Sequence, residues 1–221
     1  MRIFFGATLP ENTKDEIAEM TSSLRPSLRN ARFEGRDKLH ITLQFVGDFP
    51  AERTRELFDS AAAGLAKLPA GSSLTEITGI NYFPNNRVRR GIWIDCQDGG
   101  MLARFSEVIK EASSTYGVIS ETREFKSHIT IARFSQHITS GERRGDSHRG
   151  YERGVSVFPE DLQKFTGGGK LSVERFFPKS VALFESTLKP SGSEYKILYE
   201  YSLEKSEDED TRQGMSDGKG I

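Results

Sequence analysis

One pattern occurs twice, and it narrows the fold sharply. Lys38-Leu-His-Ile-Thr-Leu43 and Lys126-Ser-His-Ile-Thr-Ile131 both read His-x-Thr-apolar within alternating apolar and polar residues. Such alternation is the signature of a strand with one face in a core, and residues two apart share a face. Each motif therefore predicts a strand that buries its isoleucines. An imidazole and a hydroxyl then stand together on the opposite face, about 6–7 Å apart along the strand. In the first strand, Leu39–Val46, the pattern sets Ile41, Leu43 and Phe45 inward and His40, Thr42 and Gln44 outward.

The rest of the chain supplies matching pieces. Strands are expected at 2–8, 73–83, 88–95, 125–132, 170–177, 180–188 and 194–203. Helices are expected at 10–24, from Pro50 to about Leu68, at 100–116 and near 159–165. Pro84-Asn-Asn86 reads as a turn, and Gly167–Gly169 as a chain break. Strand–helix–strand units in both halves, mixed with hairpins, give an α+β, mostly antiparallel architecture. Residues 135–155 are polar and unpatterned and read as a loop. Residues 204–221 are almost devoid of apolar side chains and read as a disordered acidic tail behind a single domain, 1–203.

Composition excludes several classes. Cys96 is the only cysteine, so no intramolecular disulfide forms, and a reducing, cytoplasmic setting is expected. No apolar run reaches the ~20 residues of a membrane span, and Met1–Gly6 turns polar too soon for a signal peptide. A net charge of −1 argues against coating long nucleic acid, but not against recognising one phosphate at a chain end. No Gly-rich phosphate loop is present.

Four histidines are present. A third His-x-Thr, His137–Thr139, runs into Ser-Gly-Glu-Arg-Arg-Gly and reads as a loop coincidence. Two imidazoles facing one cleft can act as acid and base together, and two hydroxyls can hold the oxygens of a tetrahedral anion. The set suits cleavage of a phosphodiester without metal. A catalytic zinc would need three protein ligands, and each motif supplies one. Ser-His-Asp chemistry lacks its Gly-x-Ser-x-Gly elbow.

These motifs resemble those of the two-histidine (2H) phosphoesterases, and most of all the LigT-like RNA 2′,3′-cyclic phosphodiesterases, also called 2′-5′ RNA ligases. The resemblance runs over most of 1–203. It includes Arg2-Ile-Phe-Phe with Leu9-Pro10, Leu39-His-Ile-Thr-Leu-Gln-Phe-Val-Gly47, Arg90-Gly-Ile-Trp-Ile94 and Phe125-Lys-Ser-His-Ile-Thr-Ile-Ala-Arg133. It implies a bilobed, pseudo-twofold fold of two mostly antiparallel sheets, with helices outside and a central cleft. It implies His40 as general acid, His128 as general base, and Thr42 and Thr130 on the phosphate. It implies no metal and no cofactor. The expected substrate is an RNA end or nucleotide with a 2′,3′-cyclic phosphate, opened to the 2′-phosphate by a monomer that binds no membrane. Other uses of such a site are 2′-5′ ligation, a small-molecule cyclic phosphodiesterase, and a non-catalytic RNA-end module. Ser127 stands where the family often has proline.

Further candidates surround the motifs. Arg133 shares the parity of Ile129 and Ile131, so either the strand bulges or the guanidinium reaches the cleft edge. Arg suits bidentate phosphate contact. Phe134, at a strand end, is the expected base-stacking residue, whereas Phe45 is expected in the core. Trp93 lies on the face opposite Ile92 and Ile94. Arg87, Arg89 and Arg90 read as a solvated hairpin tip, and the arginines of 143–153 as a mixed-charge loop.

Overall fold

The computed structural model describes residues 1–28, 31–69, 74–82, 88–120, 123–139, 175–190 and 192–203. The expected turn at Pro84–Asn86, the loop from 140 onward, the helix near 159–165, the glycines 167–169, the start of the 170–177 strand and the tail 204–221 lie outside those residues.

Among the described residues, nine strands and three α-helices form in chain order. They are β1 (Arg2–Thr8), α1 (Glu11–Leu24), β2 (Ala31–Phe33), β3 (His40–Asp48), α2 (Thr54–Leu65), β4 (Thr75–Tyr82), β5 (Val88–Gln97), α3 (Met101–Ser114), β6 (His128–Thr139), β7 (Arg175–Phe176), β8 (Ser180–Lys189) and β9 (Gly192–Ser202). Helix positions follow the apolar spacing. Ile17 and Leu24 of α1, Leu57, Phe58, Ala61 and Leu65 of α2, and Leu102, Phe105 and Ile109 of α3 are all buried.

The strands pair in the order β7-β4-β5-β6-β3-β1-β8-β9, with β2 alongside β6. Every pairing is antiparallel. The two sheets expected from the sequence are the halves of this one path. They meet at a narrow seam, where β3 and β6 share a single register pair, Ile41 with Ile129. The path reads the same from both ends. In one half β1 leads through a 14-residue helix to its antiparallel neighbour β3; in the other β5 leads through a 14-residue helix to β6. Ile41 and Ile129, fully buried, lie on the pseudo-twofold axis.

A bulge follows each motif at the same place. In the β1–β3 register Gly6 pairs with Thr42 and Phe5 with Gln44, which leaves Leu43 unpaired. In the β5–β6 register Trp93 pairs with Thr130 and Ile92 with Ala132, which leaves Ile131 unpaired. One extra residue reverses which face the following side chains take. Outside partners satisfy the carbonyls that the bulges release. The Ser106 hydroxyl of α3 donates to Leu43 O at 2.7 Å, and the Glu34 N–H donates to Ile131 O at 2.9 Å.

The bulges correct the expected faces. Beyond Leu43, Gln44 turns inward and is buried, while Phe45 turns out and is 57% exposed. Beyond Ile131, Ala132 is buried and Arg133 leaves the core face. Residues 135–139, expected as the start of a loop, are strand. β6 continues to Thr139, held by Val88–Thr139 and Arg89–Ile138 pairs with β5. The third His-x-Thr therefore lies on strand, because β5 supplies a ladder that sequence alternation does not signal.

Candidate active site

Both histidines enter their strands by the same local device. His40 Nδ1 donates to Lys38 O at 2.7 Å, and His128 Nδ1 donates to Lys126 O at 2.7 Å. A carbonyl only accepts, so each neutral ring keeps its proton on Nδ1 and leaves Nε2 with a lone pair. For His40 that nitrogen accepts from Thr42 Oγ1 at 3.0 Å. Extending the Ile41–Ile129 register by one residue sets His40 across from Thr130, and Thr42 across from His128. The sheet thus brings all four predicted residues to one side of its seam. Ser127 still leads into β6, because its carbonyl accepts the Cys96 N–H at 3.1 Å.

The two histidines have different surroundings. His40 lies among Phe4, Phe184 and Tyr195, with ring centroids at 4.9, 5.5 and 5.4 Å. Gly6 makes room for it: a Cβ there would lie 3.1 Å from His40 Cδ2 and 3.2 Å from Ile41 O. Burial in this shelf, together with the neighbouring Arg133 and His128, pushes His40 down to about 4 against the pull of the Lys38 carbonyl. His128 instead faces the indole of Trp93, at 5.2 Å. Trp93 therefore borders the cleft. Its Nε1 donates to Asp95 Oδ1 at 2.6 Å, and Asn81 Nδ2 holds the other carboxylate oxygen at 2.7 Å.

Arg133 occupies the cleft side of β6. Its Nε donates to Glu34 Oε1 at 3.1 Å, and its guanidinium also hydrogen-bonds Tyr195. It thereby links the half holding His128 to the half holding His40. Phe45 and Arg133 are pseudo-symmetry mates, each five residues after its histidine and each turned outward by its bulge. Phe134 does not reach the cleft; it packs against the core, opposite the placement expected from its strand-end position. Phe45, expected in the core, is the exposed ring beside the site, 6.0 Å from Phe4. The aromatic shelf and the Trp93–Asp95–Asn81 group are the parts that sequence reading missed. Only the position of Trp93 opposite its isoleucines pointed toward them.

The Cys96 thiol, buried and near Asp95 and Asp98, is pushed up to about 12 and is inert. Among the described residues, no three His, Cys, Asp or Glu side chains gather as metal ligands. No helix among them is long and apolar enough to cross a membrane.

The chain is similar to several known proteins. A family model described as LigT-like phosphoesterase matches residues 8–93. An RNA 2′,3′-cyclic phosphodiesterase of Methanocaldococcus jannaschii is 27% identical, over 91% of this chain and 100% of the relative. Its counterpart in Thermus thermophilus is 28% identical, over 92% and 90%. Among solved structures, a protein of Thermus thermophilus superposes with TM-score 0.66 at 24% identity, over 92% of this chain and 98% of that one. Escherichia coli LigT complexed with 3′-AMP gives 0.65 at 18%, over 92% and 98%. The fold, seamed at two histidine-bearing strands, is shared with these solved structures. By these likenesses the chain is similar to the LigT-like phosphoesterases.

Proposed function

We propose that the protein hydrolyses the 2′,3′-cyclic phosphate of an RNA end or nucleotide to a 2′-phosphomonoester, without metal, through both His-x-Thr motifs. The carrying observation is the seam, which sets two imidazoles and two threonine hydroxyls symmetrically about Ile41 and Ile129. Water attacks phosphorus while one imidazole Nε2 takes its proton. The bond from phosphorus to the 3′-oxygen breaks as the other imidazole gives that oxygen a proton. Solvent then restores both rings. Thr42 and Thr130 donate to the phosphoryl oxygens, and Arg133 offsets the growing negative charge. The names of the curated relatives support this substrate. The domain performing it is 1–203, acting as a monomer in the cytoplasm.

The family resemblance makes His40 the acid and His128 the base. One observation favours the exchanged assignment. His40 is held neutral in the unliganded protein, the form a base needs, and it serves as acid only once the bound anion draws a proton back onto it. Leaving-group chemistry separates the roles. On a nitrophenyl phosphodiester the departing phenolate needs no proton, so the alanine variant of the acid recovers activity and that of the base does not. Equal losses on ribose and nitrophenyl leaving groups would contradict a division into acid and base. Exhaustive chelation leaves the rate unchanged under this mechanism; loss that zinc or manganese restores would contradict it.

A further inference from the structure

Resting on that reading, we infer that Arg32 binds the phosphate one nucleotide 5′ of the cyclic end, so that the preferred substrate is an RNA end and not a free nucleotide. Arg32 pairs in register with Arg133, and cross-strand partners in an antiparallel ladder share a face. Their strand neighbours Ala31, Phe33, Ala132 and Phe134 all pack toward the core. Arg32 therefore stands on the cleft face beside Arg133, along the edge of β6 that also meets β3 at the seam. Its guanidinium lies flat against the start of β9. A Cβ at Gly192 would meet Arg32 Cζ, Nη1 and Nη2 at 2.7, 2.8 and 2.9 Å, and Gly192 has φ +120°, which disfavours any side chain. This glycine leaves open the space that the guanidinium fills.

Charge points to the ligand. Two arginines directly opposite on one face repel each other. Glu34 offsets Arg133, but no carboxylate among the described residues pairs with Arg32. A polyanion that sets one phosphate at the histidines and the next beside Arg32 removes the repulsion. The planar fork of Arg suits such a group. A mononucleotide has no second phosphate to offer.

The test crosses protein charge with substrate charge. Three substrates are compared by kcat/KM: a dinucleotide ending in 2′,3′-cyclic phosphate, the same dinucleotide with an uncharged methylphosphonate linkage, and a mononucleoside 2′,3′-cyclic phosphate. The wild type is expected to prefer the charged dinucleotide to the neutral one about ten-fold. Arg32→Ala should discriminate less than two-fold between them, and Arg32→Lys should retain part of the preference. Arg32→Ala should also flatten the salt dependence on the charged dinucleotide by roughly 0.7 in log–log slope. A wild type indifferent to linkage charge, or an Arg32→Ala that keeps the full preference, would overturn the inference. A protein that misfolds loses all three substrates together and keeps no linkage preference, so Arg32→Lys must then still discriminate for the inference to stand. A wild type inactive on all three would overturn the underlying reading, and the inference with it.

Discussion

His40 and His128 share one hydrogen bond to the carbonyl two residues back and differ in everything around the ring. The aromatic shelf on the His40 side leaves so little room that Gly6 cannot carry a side chain without moving the imidazole. Gly6→Ala is therefore expected to lower kcat about ten-fold or more with a modest fall in Tm, checked by steady-state kinetics beside thermal unfolding. Phe45 gives the opposite case. A core phenylalanine truncated to alanine costs about 3–5 kcal/mol, but Phe45 is over half exposed. Phe45→Ala should destabilise by less than about 1 kcal/mol while raising KM, as denaturant titration and kinetics will measure. The strand placement of both motif histidines and threonines was legible from their repeated spacing. The faces of Gln44, Phe45 and Arg133 were not, because a single bulge residue inverts the parity and leaves no mark in the apolar pattern. Arg133 hinted at it, as a charge where alternation required an apolar side chain.

At the scale of elements, the limits of legibility follow the source of the hydrogen bonds. β1, β3, α1 and α3 carry their own periodicity, and their observed limits fall within a few residues of the expected ones. β2 has three residues and too short a pattern to read; only its pairing with β6 defines it. The far end of β6 is likewise strand because β5 lies beside it. That end holds His137, nine residues past His128, a separation of ~30 Å along an extended strand. His137→Ala should leave turnover within a few-fold of wild type. A loss matching that of His128→Ala in the same assay would move the catalytic pair.

For the whole molecule, the pseudo-twofold seam brings the proposed catalytic residues and buried core packing to one place. Ile41 is fully buried there, so Ile41→Ala should cost about 2–5 kcal/mol by denaturant titration. The pH profile carries a second signature. His40 in the folded chain binds its proton near 4, below the ordinary 6.5 of the unfolded chain. Between those values the unfolded state holds the proton that the folded state refuses. Stability therefore falls as pH drops from about 6.5 to about 4 and is unaffected by this group above that window. The loss is roughly 1–3 kcal/mol, and His40→Gln should remove it from the folding profile.

The central claim is that two imidazoles, one from each half, share one phosphodiester reaction. Its most direct test is kcat for wild type, His40→Ala and His128→Ala on an RNA 2′,3′-cyclic end in the presence of chelator. A single positioned acid or base typically contributes ~10²–10⁴-fold. Each variant should lose about that much, the wild type should be unaffected by chelation, and the product should carry its phosphate on the 2′-oxygen. Full activity in either variant would contradict the account.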